Sequence, residues 1–233
     1  MSRSNFLKQR PKFMYLREFE IVYDFKFDPI KSYLDKTQEM IHLQEIELKE
    51  KLNKWDKERG ENPERPNAID FYESEILNCS EFANILNQSI YLTIFSTFEN
   101  EFLKLCAWCQ YTENLNIGPK DIKDQNYIGQ CRKFITKVLN VKLDGLNQEW
   151  NEIRKYQIIR NSIAHNGGIL KDAKTDMLNF VKHADGILID SKSSKIEINS
   201  IVFLKTQIDT LVDFLIKIIE EIIRQKEMDG TNK

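Results

Sequence analysis

Little in this chain is built to turn. Only 8 glycines and 5 prolines occur in 233 residues, too few for a sandwich or barrel of many short strands, each of which needs its own turn chemistry. An excess of charge of one sign is missing too. Lys and Arg number 34 against 36 Asp and Glu, a formal net charge of −2, so no global field draws in a polyanion and any such site must be local. Long uncharged apolar runs are also absent. The most apolar stretch, Ile201 to Ile223, is interrupted by Lys205, Asp209, Asp213, Lys217, Glu220 and Glu221, which excludes an uncharged bilayer span and predicts no membrane partner. The four cysteines, Cys79, Cys106, Cys109 and Cys131, are not spaced as a disulfide framework and follow no secretory leader. Reduced thiols in a cytoplasmic setting are therefore expected. No glycine loop of the nucleotide-binding kinds and no G-x-S-x-G elbow occurs, so ATP-driven and serine-hydrolase chemistry have no support and no cofactor is expected.

What is present is helical periodicity. After a basic start read as a mobile arm, Phe19, Ile21, Tyr23, Phe25 and Phe27 alternate with mostly polar neighbours, a period that fits a short strand or the beginning of an amphipathic helix. Asp28-Pro29 has the form of a helix start, and the run to about Lys57 is rich in helix formers. Apolar residues recur at helical spacing from Ile69 to Gln110. Further helices are predicted from Gly118-Pro119 to about Leu139 and through Trp150, Ile153 and Tyr156, the latter closed by Gly167-Gly168. The β-branched pentads GILID and KIEIN, separated by SKSS, predict a hairpin. Ile201, Leu204, Ile208, Leu211, Leu215, Ile218 and Ile222 then form a broad apolar stripe, central to a bundle or shared with a second protomer. The fold class expected is mainly α, a helical bundle with a small β-hairpin before the last helix. Its boundaries are an extension over 1–28, a helical domain over 29–227 and a disordered tail over 228–233.

The stretch YQIIRNSIAHNGG, Tyr156 to Gly168, carries the chemistry. At ~100° per residue, Leu146, Trp150, Ile153 and Ala164 share one stripe, bordered by Arg160 on one side and by Asn161 and His165 on the other. On the long preceding helix, Glu99 falls within the stripe of Leu92, Phe95, Phe102 and Cys106. A carboxylate facing a core is costly unless paired, and Arg160 has the sign to pair with it. The bland alternative is an interhelical salt bridge beside a satisfied histidine. Cys106-Ala-Trp-Cys109 is a lone CxxC without a second pair or a companion histidine, which predicts buried cysteines and no metal site. His42 and His183 are expected at the surface.

Arg160-Asn-Ser-Ile-Ala-His165 resembles the R-x(4–6)-H signature of the HEPN superfamily, including the polar residue after the arginine and the position at a helix end before glycines. Phe98-Glu99 is similar to the aromatic-acid step of several HEPN branches. The resemblance implies a HEPN-like helical bundle and a metal-independent endoribonuclease of the toxin–antitoxin or antiphage type, leaving 2′,3′-cyclic phosphate ends. In that reading His165 is the acid/base, Arg160 stabilises the transition state, Asn161 orients the imidazole or a phosphate oxygen, and Glu99 positions Arg160. Arg154, Lys155, Arg132 and Lys133 supply phosphate contacts. One motif offers one histidine, so a homodimer is expected to bring two together around one RNA phosphate. An antitoxin or defence-system protein is the other expected partner. The alternatives are a catalytically silent HEPN module that binds RNA, a nucleotide or a protein, and a purely structural helical dimer.

Overall fold

The computed structural model describes residues 13–61, 64–170, 175–190 and 192–231. The arm read at the extreme amino terminus lies outside them except for its last residue, Phe13. Seven α-helices are present among the described residues: α1 Arg17–Glu61, α2 Ala68–Phe71, α3 Glu73–Thr112, α4 Tyr127–Lys133, α5 Asn147–Asn166, α6 Thr175–His183 and α7 Ile201–Thr231. A single antiparallel pair, β1 Ile187–Ile189 and β2 Ile196–Ile198, precedes the last helix. The class is mainly α with a small hairpin, as the scarcity of turn residues requires.

The alternating segment is helical. Of its five apolar residues, Tyr23 and Phe27, four apart, are buried, whereas Ile21 and Phe25 are 62% and 72% exposed. Leu16, Tyr23, Phe27, Leu34, Thr37 and Ile41 are all buried, and spacings of three, four or seven place them on one helical stripe. That stripe explains why Pro29 lies inside α1 and does not begin it. An interior proline costs about 3 kcal/mol, less than several buried side chains contribute. Pro29 is exposed, so Pro29→Ala is expected to restore a helical hydrogen bond and raise the melting temperature by roughly 3–10 °C. A thermal melt showing no increase would mean that the helix depends on the proline's local geometry.

Three further departures concern the ends and interruptions of elements. The segment after Gly118 is not one helix: a 3-10 turn at Pro119–Asp121 and α4 are followed by a π-helical turn, Phe134–Val138. Leu139 N–H donates to Phe134 at 3.0 Å, the wider hydrogen-bond register of a π turn. Helix α6 was not foreseen. The last helix continues to Thr231, so residues 228–231 are helical where a disordered tail was expected.

The chain divides into two compact units. The first comprises the residues up to Asp28, Thr93–Ile158 and Thr206 onward; the second comprises Pro29–Leu92 and Ile159–Lys205. Aromatic rings fill the first. Phe95, Phe98, Phe102 and Phe214 are all buried, and Phe102 meets Phe214 edge-on with centroids 6.0 Å apart, a favourable quadrupole arrangement. In the second unit Tyr91 stacks on Phe203 at 5.9 Å. The hairpin register, Ile187↔Ile198 and Ile189↔Ile196, buries Ile187, Ile196 and Ile198 while Leu188 stays exposed, the alternation a one-faced hairpin requires.

Candidate functional site

Arg160, Asn161 and His165 belong to the second unit and occupy the last two turns of α5. Asn161 and His165 are exposed and Arg160 is half-buried. The helix ends where it does because Gly167 and Gly168 adopt φ of +60° and +83°, a conformation that side chains with a Cβ resist. Gly168 N–H donates to the Ser162 carbonyl at 3.0 Å and Gly168 C=O accepts from Ile196 at 2.9 Å. The hairpin is thereby bonded to the cap that follows the histidine.

The far edge of that hairpin is held by three amide side chains of α3. Asn84 Oδ1 accepts from Ile198 N–H at 3.1 Å, Asn87 Nδ2 donates to Ile198 C=O at 2.9 Å, and Gln88 Nε2 donates to Ile196 C=O at 3.1 Å. Their spacing puts all three on one helix face. They complete the backbone hydrogen bonding of an edge strand, which would otherwise be an open template. The sequence reading missed them, although polar residues at i, i+3 and i+4 interrupting an apolar pattern were the available signal. Asn87 is 2% exposed. Asn87→Leu, which orphans a buried carbonyl, is expected to cost about 1–3 kcal/mol and to raise amide exchange at Ile196 and Ile198 selectively. Uniform exchange across the chain would contradict a local role.

Two expectations for the site change. The buried line of α5 moves from Ile153 to Tyr156, Ile159 and Ser162, so Ala164 is exposed and does not continue the stripe of Leu146. Asn161 takes up Arg160: Arg160 Nη1 donates to Asn161 Oδ1 at 3.1 Å, a charge-assisted bond that orients the guanidinium. No described hydrogen bond joins Asn161 to His165.

In the first unit Glu99 is half-buried. The deeply buried carboxylate of α3 is Glu101, 2% exposed, paired with Lys104 at 2.7 Å. The packed face runs through Phe95, Phe98, Phe102 and Leu105, and Glu101 falls on its border. Burial, with Glu101 nearby, pushes the Tyr23 phenol far above its ordinary value. Cys106, Cys109 and Cys131 are buried. Burial raises the Cys109 thiol to about 12 and the Cys106 thiol as well. Among the described residues no group of three or more His, Cys, Asp and Glu is placed to hold a metal ion.

The four basic residues read as phosphate contacts are partly gathered in the first unit. Lys133 and Arg154 line one cavity of about 630 Å³ with Lys123, Asp124, Asn126 and Trp150. Arg132 covers the Trp150 ring, its guanidinium carbon 4.6 Å from the centroid, and donates to Asn147 Oδ1 at 2.6 Å. Lys155 is half-buried on α5 and does not line that cavity.

Comparison with family models, curated proteins and solved structures finds no match. The functional reading therefore rests on these residues and their geometry. Among the described residues, no helix is long and apolar enough to cross a membrane.

Proposed function

We propose that the chain is a metal-independent endoribonuclease of HEPN type, a toxin or antiphage effector of the cytoplasm that acts as a homodimer. The observation that carries this reading is the end of α5, where an exposed histidine follows an arginine whose guanidinium is held by Asn161. The chemistry needs three services. One imidazole removes the proton from a ribose 2′-hydroxyl, whose oxygen then attacks the adjacent phosphorus. A second imidazole protonates the departing 5′-oxygen as the P–O5′ bond breaks, leaving a 2′,3′-cyclic phosphate and a 5′-hydroxyl. Arg160 offsets the extra negative charge of the transition state. Two copies of His165, one per protomer, would supply both imidazoles, with a two-fold axis passing near the phosphate. Glu99 keeps the positioning role that the sequence suggests for it, and Asn161 acts as the positioning residue of Arg160. An antitoxin or defence-system protein is the partner this reading anticipates.

The direct test incubates the purified chain with RNA in chelator and analyses the ends of the products. Cyclic phosphate and 5′-hydroxyl ends that disappear with His165→Ala are expected. Intact RNA in the presence of folded, dimeric protein would overturn the enzyme reading and favour a silent binding module.

A further inference from the structure

We propose that the cavity of the first unit lined by Lys123, Lys133, Arg154 and Trp150 is a nucleotide subsite that grips the backbone of single-stranded RNA. The ligand class rests on the ribonuclease reading; the site itself rests on geometry that the catalytic motif does not use. The cavity's charge contrasts with the rest of the chain. Three cations and one carboxylate, Asp124, line it, a local excess of positive charge on a chain whose formal net charge is −2. Local positive charge of this kind is what a polyanion needs when the global field is absent.

The cations are held in place. Arg154 Nη1 donates to Gln157 Oε1 at 2.6 Å, and Gln157 is only 4% exposed, so a buried amide anchors the guanidinium. Lys133 Nζ lies 2.8 Å from Asp124 Oδ2 and donates to the Lys123 carbonyl at 3.0 Å. Desolvation acts to raise the Asp124 carboxyl, but the hydrogen bonds from Lys133 and from the backbone of Gln125 and Asn126 outweigh it and hold it below its ordinary value. Asp124 also leans over Gly129, where a Cβ would meet its carboxylate. The loop is thus shaped so that a carboxylate can fix Lys133 at the rim.

Trp150 is the aromatic residue of the cavity lining. Phe214 lies 6.1 Å from Trp150, and Arg132 covers the indole. A base splayed from a single strand stacks on guanidinium planes as well as on rings. The inferred arrangement places the phosphate on Lys133 and Arg154, reached also by Lys123, with the base against Trp150.

Asp124 makes the proposal specific in sign. Its carboxylate repels phosphate while it immobilises Lys133, so its neutralisation should strengthen RNA binding whereas loss of the cations should weaken it. Binding of a short labelled single-stranded RNA is measured by anisotropy across a salt series, in a His165→Ala background that prevents cleavage. Lys133→Ala with Arg154→Ala is expected to weaken binding roughly 10- to 100-fold at about 0.1 M salt and to lower the salt slope by roughly 1.4, two phosphate contacts on a single strand. Asp124→Asn is expected to strengthen binding roughly 3- to 10-fold and Arg154→Lys to retain most of it, because the cations' positive charge survives both changes. A thermal melt accompanies each variant, and Asp124→Asn tests the inference even where the alanine pair fails to fold. Affinity within twofold of the parent for both the alanine pair and Asp124→Asn would overturn the subsite. Cleavage by the chain with an intact His165 is scored separately, so a failed nuclease reading with the expected binding changes leaves the subsite standing.

Discussion

His165→Ala is expected to reduce RNA cleavage by about 10²–10⁴-fold, the range that one positioned acid or base contributes. Because His165 is exposed at the end of α5, its removal empties no core volume, and the melting temperature should stay within about 2 °C of the parent, as for most surface substitutions. Arg160→Ala is expected to lower cleavage to a similar degree by removing a cation from the transition state. Arg160→Lys should recover little, since the bond to Asn161 Oδ1 exploits a planar donor array that an ammonium lacks. Mixing tests the dimer directly. If both imidazoles serve one phosphate, a dimer with a single His165→Ala chain is inactive, and activity falls as the square of the wild-type fraction when the two proteins are co-refolded. A linear fall would show that each chain works alone and would remove the two-histidine mechanism, whatever the activity of the parent.

The parts of this molecule that were legible in the sequence are those fixed by local chemistry. The hairpin was readable because β-branched pentads flank a polar turn, and the register follows from burying Ile187, Ile196 and Ile198 on one face. The end of α5 was readable because tandem glycines supply the positive φ that a helix end uses. Over residues 19–27, period two and period 3.6 overlap in a short window, and long-range burial of Tyr23 and Phe27 decides for helix. Pro29 then misleads, because its local preference for a first turn loses to a stripe that extends on both sides of it. A helical wheel places Glu99 beside the packed face, where it is half-buried, but a wheel fixes only relative angles. Which sector faces inward depends on the packed aromatics, and they bury Glu101. The basic cavity shows the same division. Arg132, Lys133 and Arg154 are visible as charges in the sequence, whereas the fold alone brings Asp124 and the Trp150 stack to them.

Phe214 is where the largest loss of stability is expected. It is 2% exposed and its ring lies 6.3 Å from Phe98, 6.0 Å from Phe102 and 6.1 Å from Trp150, so one side chain of α7 joins residues from α3 and α5. Phe214→Ala removes its transfer free energy and leaves a cavity bordered by three rings that cannot all collapse onto it, a cost of about 3–5 kcal/mol. Against a total of about 5–15 kcal/mol for a typical domain, that is about a fifth or more of the stability, and the melting temperature should drop by roughly 6–20 °C. Phe214→Leu keeps much of the volume but loses the ring–ring geometry, worth about 0.5–1.5 kcal/mol per aromatic pair, so it should fall between the parent and alanine. Trp150 provides a second readout, because loosening its Phe214 side lets water reach the indole and shifts its emission to the red. The order parent, leucine, alanine in both stability and emission is the expected result. A loss below about 1 kcal/mol for alanine would mean that the aromatic cluster rearranges to fill the space, as surface sites do and close-packed cores do not.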